Sequence, residues 1–260
     1  MTSGIHIKNA IRQFETYISS YDKNDPKINL KITHTYRVMD ICRLLAESME
    51  LPEEKIDLAA LIGLLHDIGR FEQLRLTNSF DDSIIPHAKC SLMVLFDQGH
   101  LRDFIDIKEY DNIIYESIKN HGVFLVDESL QGEELLYTKL IRDADKLDNF
   151  HTKLIEGMET MLDVSMEELS EEEVSDYAYG TFMDSRPLLN EKRETHLDMW
   201  VSYIGYMFDL NLPQSFAYVK EHDYVNRLVD RVPYKNSLAK KRMEDMRQVM
   251  LDFVNKKIPG

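Results

Sequence analysis

Basic residues are in short supply in this sequence: 31 Lys and Arg stand against 46 Asp and Glu, leaving a formal net charge of −15. A fold that acidic repels polymeric nucleic acid, whose binding needs clustered cations to displace counterions. A small phosphorylated ligand is not excluded, because a bound metal ion inverts the local field. Cysteine is scarcer still. Cys42 and Cys90 form no CxxC pair and are too few for a stapled scaffold, so they read as buried, reduced thiols of a cytoplasmic protein. Ten glycines and seven prolines interrupt 260 residues only rarely, which permits long helices. Apolar runs are short. No window comes near the roughly eighteen uninterrupted apolar residues of a membrane span, and the opening MTSGIHIKNAIRQFETY lacks the apolar stretch of a signal peptide. No membrane and no polymeric nucleic acid are therefore expected as partners.

What is present is a 43% hydrophobic fraction patterned at helical spacing. Ile7, Ile11, Phe14 and Ile18 make one stripe; His34, Val38, Ile41 and Leu45 make another. Pro52 suits a helix start, and Ile56, Ala59, Ala60, Gly63 and His66 follow it on one face. Residues 71–86 are polar with weak periodicity and read as a loop. Helices are expected again over 87–96, 110–121, 133–150, 195–210, 213–232 and 237–256. No strand pair, repeat or low-complexity linker stands out. The fold class is all-α, a helical bundle over residues 1–150 with a helical extension over 151–260, expected to pack as one compact unit. The oligomeric state is left open.

Chemistry concentrates in LIGLLHDIGR, where an apolar helix runs into His66 and Asp67. Neighbours on a helix point about 100° apart, so both can reach one ion only where the helix ends or bends. Gly69 is the expected stop. Two ligands do not hold an ion, so other helices must supply more. His34 alone would read as a core histidine, and Asp145 in IRDADKLDNF as a solvated or capping carboxylate. Read in order, each embedded in an apolar helix, they suggest a shared site.

The order His34, His66-Asp67, Asp145 resembles the HD-domain superfamily of metal-dependent phosphohydrolases. THTYRVMDICRLLA, LAALIGLLHDIGR and IRDADKLDNF look like its first, second and last motifs, and the likeness spans roughly residues 30–150. His87 and His121 stand where the binuclear branch has two further histidines. The resemblance implies a first divalent ion on His34, His66, Asp67 and Asp145, and a second on His87 and His121 with Asp67 bridging. Iron, manganese or a similar transition metal suits such donors. A single ion is the alternative, with His87 and His121 then placed around it or against substrate. Lys146 and Arg70 are candidate catalytic and substrate-binding cations for a phosphate, or else solvent-exposed charges. Arg37 is a candidate for orienting a carboxylate. The aromatic stripe of Trp200, Tyr203, Tyr206 and Phe208 reads as core, or as a lid.

There is no GYP triplet after the HD pair and no histidine doublet at His121, so cleavage of cyclic di-GMP is not implied. The branch that splits symmetrical dinucleoside tetraphosphates shares the ligand order but is shorter. The expected activity is hydrolysis of a small phosphoester, a nucleotide first of all. The competing readings are a di-iron oxygenase of the same superfamily and a non-catalytic module that binds metal or ligand for regulation.

Overall fold

The computed structural model describes residues 4–258, and every regular element among them is helical. The chain divides into two compact units, Met1–Asp145 and Lys146–Gly260. The first contains α1 (Ile7–Ile18), α2 (Pro26–Ser48), α3 (Glu53–Leu65), α4 (Gly69–Thr77), α5 (His87–Leu92), α6 (Leu101–Phe104) and α7 (Asp111–Asn120). The boundary falls inside α8 (Gly132–Ile155), five residues short of the sequence expectation. No helix among the described residues is long and apolar enough to cross a membrane.

Each start and stop has a local cause. Asp25 caps α2, its carboxylate accepting from the Lys27 amide at 2.8 Å, and Pro26 takes the first helical position. His34, Val38, Ile41 and Leu45 then fall on the buried face. Helix α3 is apolar nearly all round, and Ile56 to Leu65 are buried without interruption. It packs tightly on α2 because Gly63 leaves room: a Cβ there would lie 2.8 Å from the Met39 Cα.

Two expectations need correction. The stop after the HD pair is not at Gly69. Helix α3 ends at Leu65, His66 to Ile68 form a turn, and Gly69 begins α4. Residues 71–77 are not loop but the body of α4, which closes on Asn78 in the left-handed conformation at φ 54°. Periodicity hides this helix because Gln73, a polar residue, is fully buried between Phe71 and Leu74. Its amide group donates to the Ile85 carbonyl at 2.7 Å and to Asp82 at 3.0 Å. The loop before His87 is therefore short, Asn78 to Pro86, and tied down from below.

The second unit carries α9 (Met158–Leu162), α10 (Met166–Glu171), α11 (Asp176–Met183), α12 (His196–Ile204), α13 (Pro213–Glu221), α14 (Tyr224–Asp230) and α15 (Ser237–Lys257). Ser165 and Glu168 form a reciprocal capping box on α10. Helix α15 packs on α11, α13 and α14 and buries Met243, Met246, Met250 and Val254. Of the aromatic stripe, Trp200 is core, while Tyr203, Tyr206 and Phe208 are half-buried. Trp200 is fully buried, and Phe208 meets Phe182 and Phe253 edge-on at 4.8 and 5.1 Å.

Candidate metal centre

At His66–Ile68 the helix tightens into a turn, the Ile68 amide donating to the Leu65 carbonyl at 3.2 Å, and both side chains of the HD pair are buried there. Gly69 is what allows it. A Cβ at Gly69 would lie 2.1 Å from the Ser91 amide nitrogen, so α4 can approach α5 this closely only at glycine. Ser91 uses the contact. Its hydroxyl donates to the His66 carbonyl at 2.9 Å and accepts from the Gly69 amide at 3.0 Å, stitching the turn to α5.

Six side chains predicted from the sequence meet here. His34 from α2, His66 and Asp67 from the turn form one buried group, and Asp67, His87 and His121 form a second; within each group the donor atoms lie within 4.8 Å of one another. Asp145 from α8 joins the first, with Oδ1 3.2 Å from His34 Nε2. Asp67 belongs to both. Its Oδ2 lies 3.6 Å from His34 Nε2 and 3.7 Å from His66 Nε2. Its Oδ1 lies 3.6 Å from His87 Nε2 and 3.7 Å from His121 Nε2.

The protonation pattern follows from the other ring nitrogen. His66 Nδ1–H donates to the Gly63 carbonyl and His121 Nδ1–H to the Ile118 carbonyl, each at 2.7 Å. A carbonyl can only accept, so each of these rings carries a proton on Nδ1 and turns Nε2 toward the centre. His87 Nδ1–H donates to both oxygens of Asp82, at 2.7 and 2.8 Å. The Nε2 atoms of His87 and His121 then face each other at 2.8 Å, and those of His34 and His66 at 3.3 Å. Lone pairs that close repel unless a proton or a metal ion compensates them. Asp67 Oδ1, between the two pairs, is buried and accepts no hydrogen bond. The donor set fits divalent transition metals, and an orphaned carboxylate oxygen on the side of His87 and His121 fits a second ion.

Electrostatics favour the ligand forms. Burial pushes the His66 imidazole down from 6.5 to about 3, with the neighbouring histidines adding to burial and Asp67 opposing it. Burial likewise lowers His87, against the pull of Asp82. Burial would raise Asp67, but Lys31, His66 and Arg70 outweigh it and hold the carboxyl well below its usual range. Burial also works against ionised Asp145, and the His34 ring overcomes it.

Three residues of this centre escaped the sequence reading. Lys31 sits one turn before His34 on α2, and its ammonium is 2.8 Å from Asp67 Oδ2; the i, i+3 spacing was the available signal. Asp82 lies in the loop before α5, where it accepts from the His87 amide as well as the ring. Arg142 is fully buried on α8 and donates to the carbonyls of Asn120, His121 and Val123, holding the end of α7 that presents His121.

The expected phosphate-binding cations have partners. Arg70 donates to Asp82, to the Phe80 carbonyl and to Gln73, and its Nε stays 3.6 Å from Asp67 Oδ1. Lys146 pairs with Asp209 at 2.9 Å inside the second unit. Of the remaining histidines, His100 pairs with Asp103, His196 with Glu172, and His222 stacks on Tyr218.

No curated protein and no solved structure matches the chain. A family model described as HD domain matches residues 32–149, a span that begins just before His34 and ends just after Asp145. The ordered ligand-type residues, their convergence and that match agree: residues 32–149 form a domain of the HD superfamily of metal-dependent hydrolases.

Proposed function

We propose that the protein is a phosphohydrolase that cleaves a small phosphoester, with nucleotides as the substrate class, using two divalent transition-metal ions such as iron or manganese. His34, His66, Asp67 and Asp145 would hold one ion, and His87, His121 and the bridging Asp67 the other. The observation that carries this reading is the two-sided setting of Asp67: each carboxylate oxygen faces its own histidine pair, and Oδ1 has no hydrogen-bond donor. When bound, such ions supply a water ionised near neutral pH and a grip on a phosphoryl oxygen.

The chain's own contribution is orientation and charge. The carbonyls of Gly63 and Ile118 and the carboxylate of Asp82 fix which nitrogen of each ring bears the proton. Lys31 and Arg70, both beside Asp67, add positive charge where an anionic ester would arrive.

The test is metal analysis of protein purified without added metal, followed by a screen of nucleotides and simple phosphoesters with and without oxygen. Bound transition metal and hydrolysis that persists anaerobically support the proposal. Turnover that requires oxygen would replace it with the oxygenase reading, and a metal-replete protein that turns over nothing would favour a regulatory module.

A further inference from the structure

Beside the pair of His87 and His121 the first unit has a groove of about 320 Å³, with Pro86, His87, Leu92, Lys119, Gly122 and Val123 among its lining residues. That is near the lower end of the roughly 300–1,000 Å³ typical of small-molecule sites, room for one ring system rather than a chain. Pro86, Leu92 and Val123 make its walls apolar. The carboxylate in its lining, Asp82, is exposed but already engaged by His87 and Arg70.

The groove adjoins the candidate metal centre through His87, whose Nε2 lies 3.6 Å from Asp67 Oδ1. Gly122 and His87 both line it, and a Cβ at Gly122 would fall 3.0 Å from His87 Cε1 and 3.3 Å from Nε2. With glycine there, no side chain separates the groove from the edge of the ring that faces Asp67. At the rim stand two exposed lysines, Lys89 and Lys119, the latter paired with Glu116 at 3.1 Å, beside the exposed carboxylate of Asp82. Beyond Val123 the apolar wall continues outward through Phe124 and Leu125, which are 53% and 78% exposed. A run of three exposed apolar residues is unusual on a free surface and suits one that meets an apolar ligand.

We infer that this groove receives the flat apolar part of the phosphoester, an aromatic or heteroaromatic ring, while the phosphoryl group sits at Asp67. The inference rests on the phosphohydrolase reading and names the substrate class that site selects: phosphoesters whose alcohol carries an aromatic or heteroaromatic ring, as a nucleotide does, in preference to small aliphatic ones.

The test uses the metal-loaded full chain and two phosphonates that cannot be hydrolysed, methylphosphonate and 1-naphthylmethylphosphonate, with binding followed by calorimetry. The naphthyl compound is expected to bind at least tenfold more tightly. Leu92→Trp, which fills the groove, should erase most of that preference and leave methylphosphonate affinity and metal content unchanged. Val123→Trp, on an exposed segment, repeats the test should the Leu92 variant not fold, as judged by circular dichroism. Equal affinity of the two ligands for the wild type, or a preference that survives both substitutions, overturns the groove assignment alone. Failure of both phosphonates to bind the metal-loaded protein overturns the phosphoester reading and the groove with it.

Discussion

Asp82 holds His87 from two directions: its carboxylate accepts from the ring Nδ1 at 2.7 Å and from the backbone amide of the same residue at 3.1 Å. Arg70 and Gln73 in turn fix the carboxylate. One loop aspartate therefore sets the rotamer, the tautomer and the helix start of a candidate ligand. Asp82→Asn should weaken binding of one metal equivalent by about 10- to 100-fold, the usual effect of removing such a partner. Titration of metal-free protein with Mn²⁺ checks it; two unchanged affinities would show that Asp82 matters only to the loop.

Asp67→Ala removes the one residue common to both ligand groups. Far-ultraviolet circular dichroism should stay helical. Metal content should collapse, and hydrolysis of any substrate found should fall at least about 100-fold. Native-like metal content and activity in this variant would remove Asp67 from the mechanism.

His87→Ala combined with His121→Ala distinguishes two ions from one. The double variant should retain one metal equivalent where the wild type binds two. A wild type that saturates at one equivalent in excess metal would favour a mononuclear centre.

The metal-free protein should lose stability in mild acid. His66 is held neutral in the fold, with its pKa lowered from 6.5 to about 3. Between these values the unfolded chain takes up a proton that the folded chain does not. Stability is therefore full above pH 6.5 and falls as pH drops toward 3, by at most about 1.4 kcal/mol per unit for this group. Urea midpoints at pH 7.5 and 5.0 measure the effect, and equal midpoints would contradict it.

Arg142→Met deletes a buried guanidinium and leaves three carbonyls at the end of α7 without their donor. A loss of about 3 kcal/mol is expected, seen as a lower thermal midpoint. Metal affinity should fall as well, because His121 loses its support.

The parts of the centre that were legible in the sequence are those whose type and setting are at odds. His34 on an apolar stripe and the HD pair at the end of an apolar helix stand out because water-seeking groups do not go there without a purpose. Asp82 does not stand out, since an aspartate beside Asp81 in a polar stretch looks solvated, and only the folded loop turns it toward His87. Lys31 was within reach, one turn from His34, but a lysine near a helix start invites a surface reading. Helix α4 was hidden for the opposite reason to His34: buried Gln73 broke the apolar rhythm by which helices are recognised. Arg142 could not be read at all, because its three acceptors are backbone carbonyls, which carry no sequence identity.

Arg142 and Asp145 stand three residues apart on α8, about 4.5 Å of helical rise. One guanidinium grips the chain at Asn120, His121 and Val123, so the last position it fixes is Val123. From Phe124 to Gln131 the path back to α8 carries none of these three acceptors. Engineered variants that exchange its exposed residues should therefore keep the spacing between His121 and Asp145. A single residue inserted between Arg142 and Asp145 would turn one of them about 100° out of register and break the arrangement.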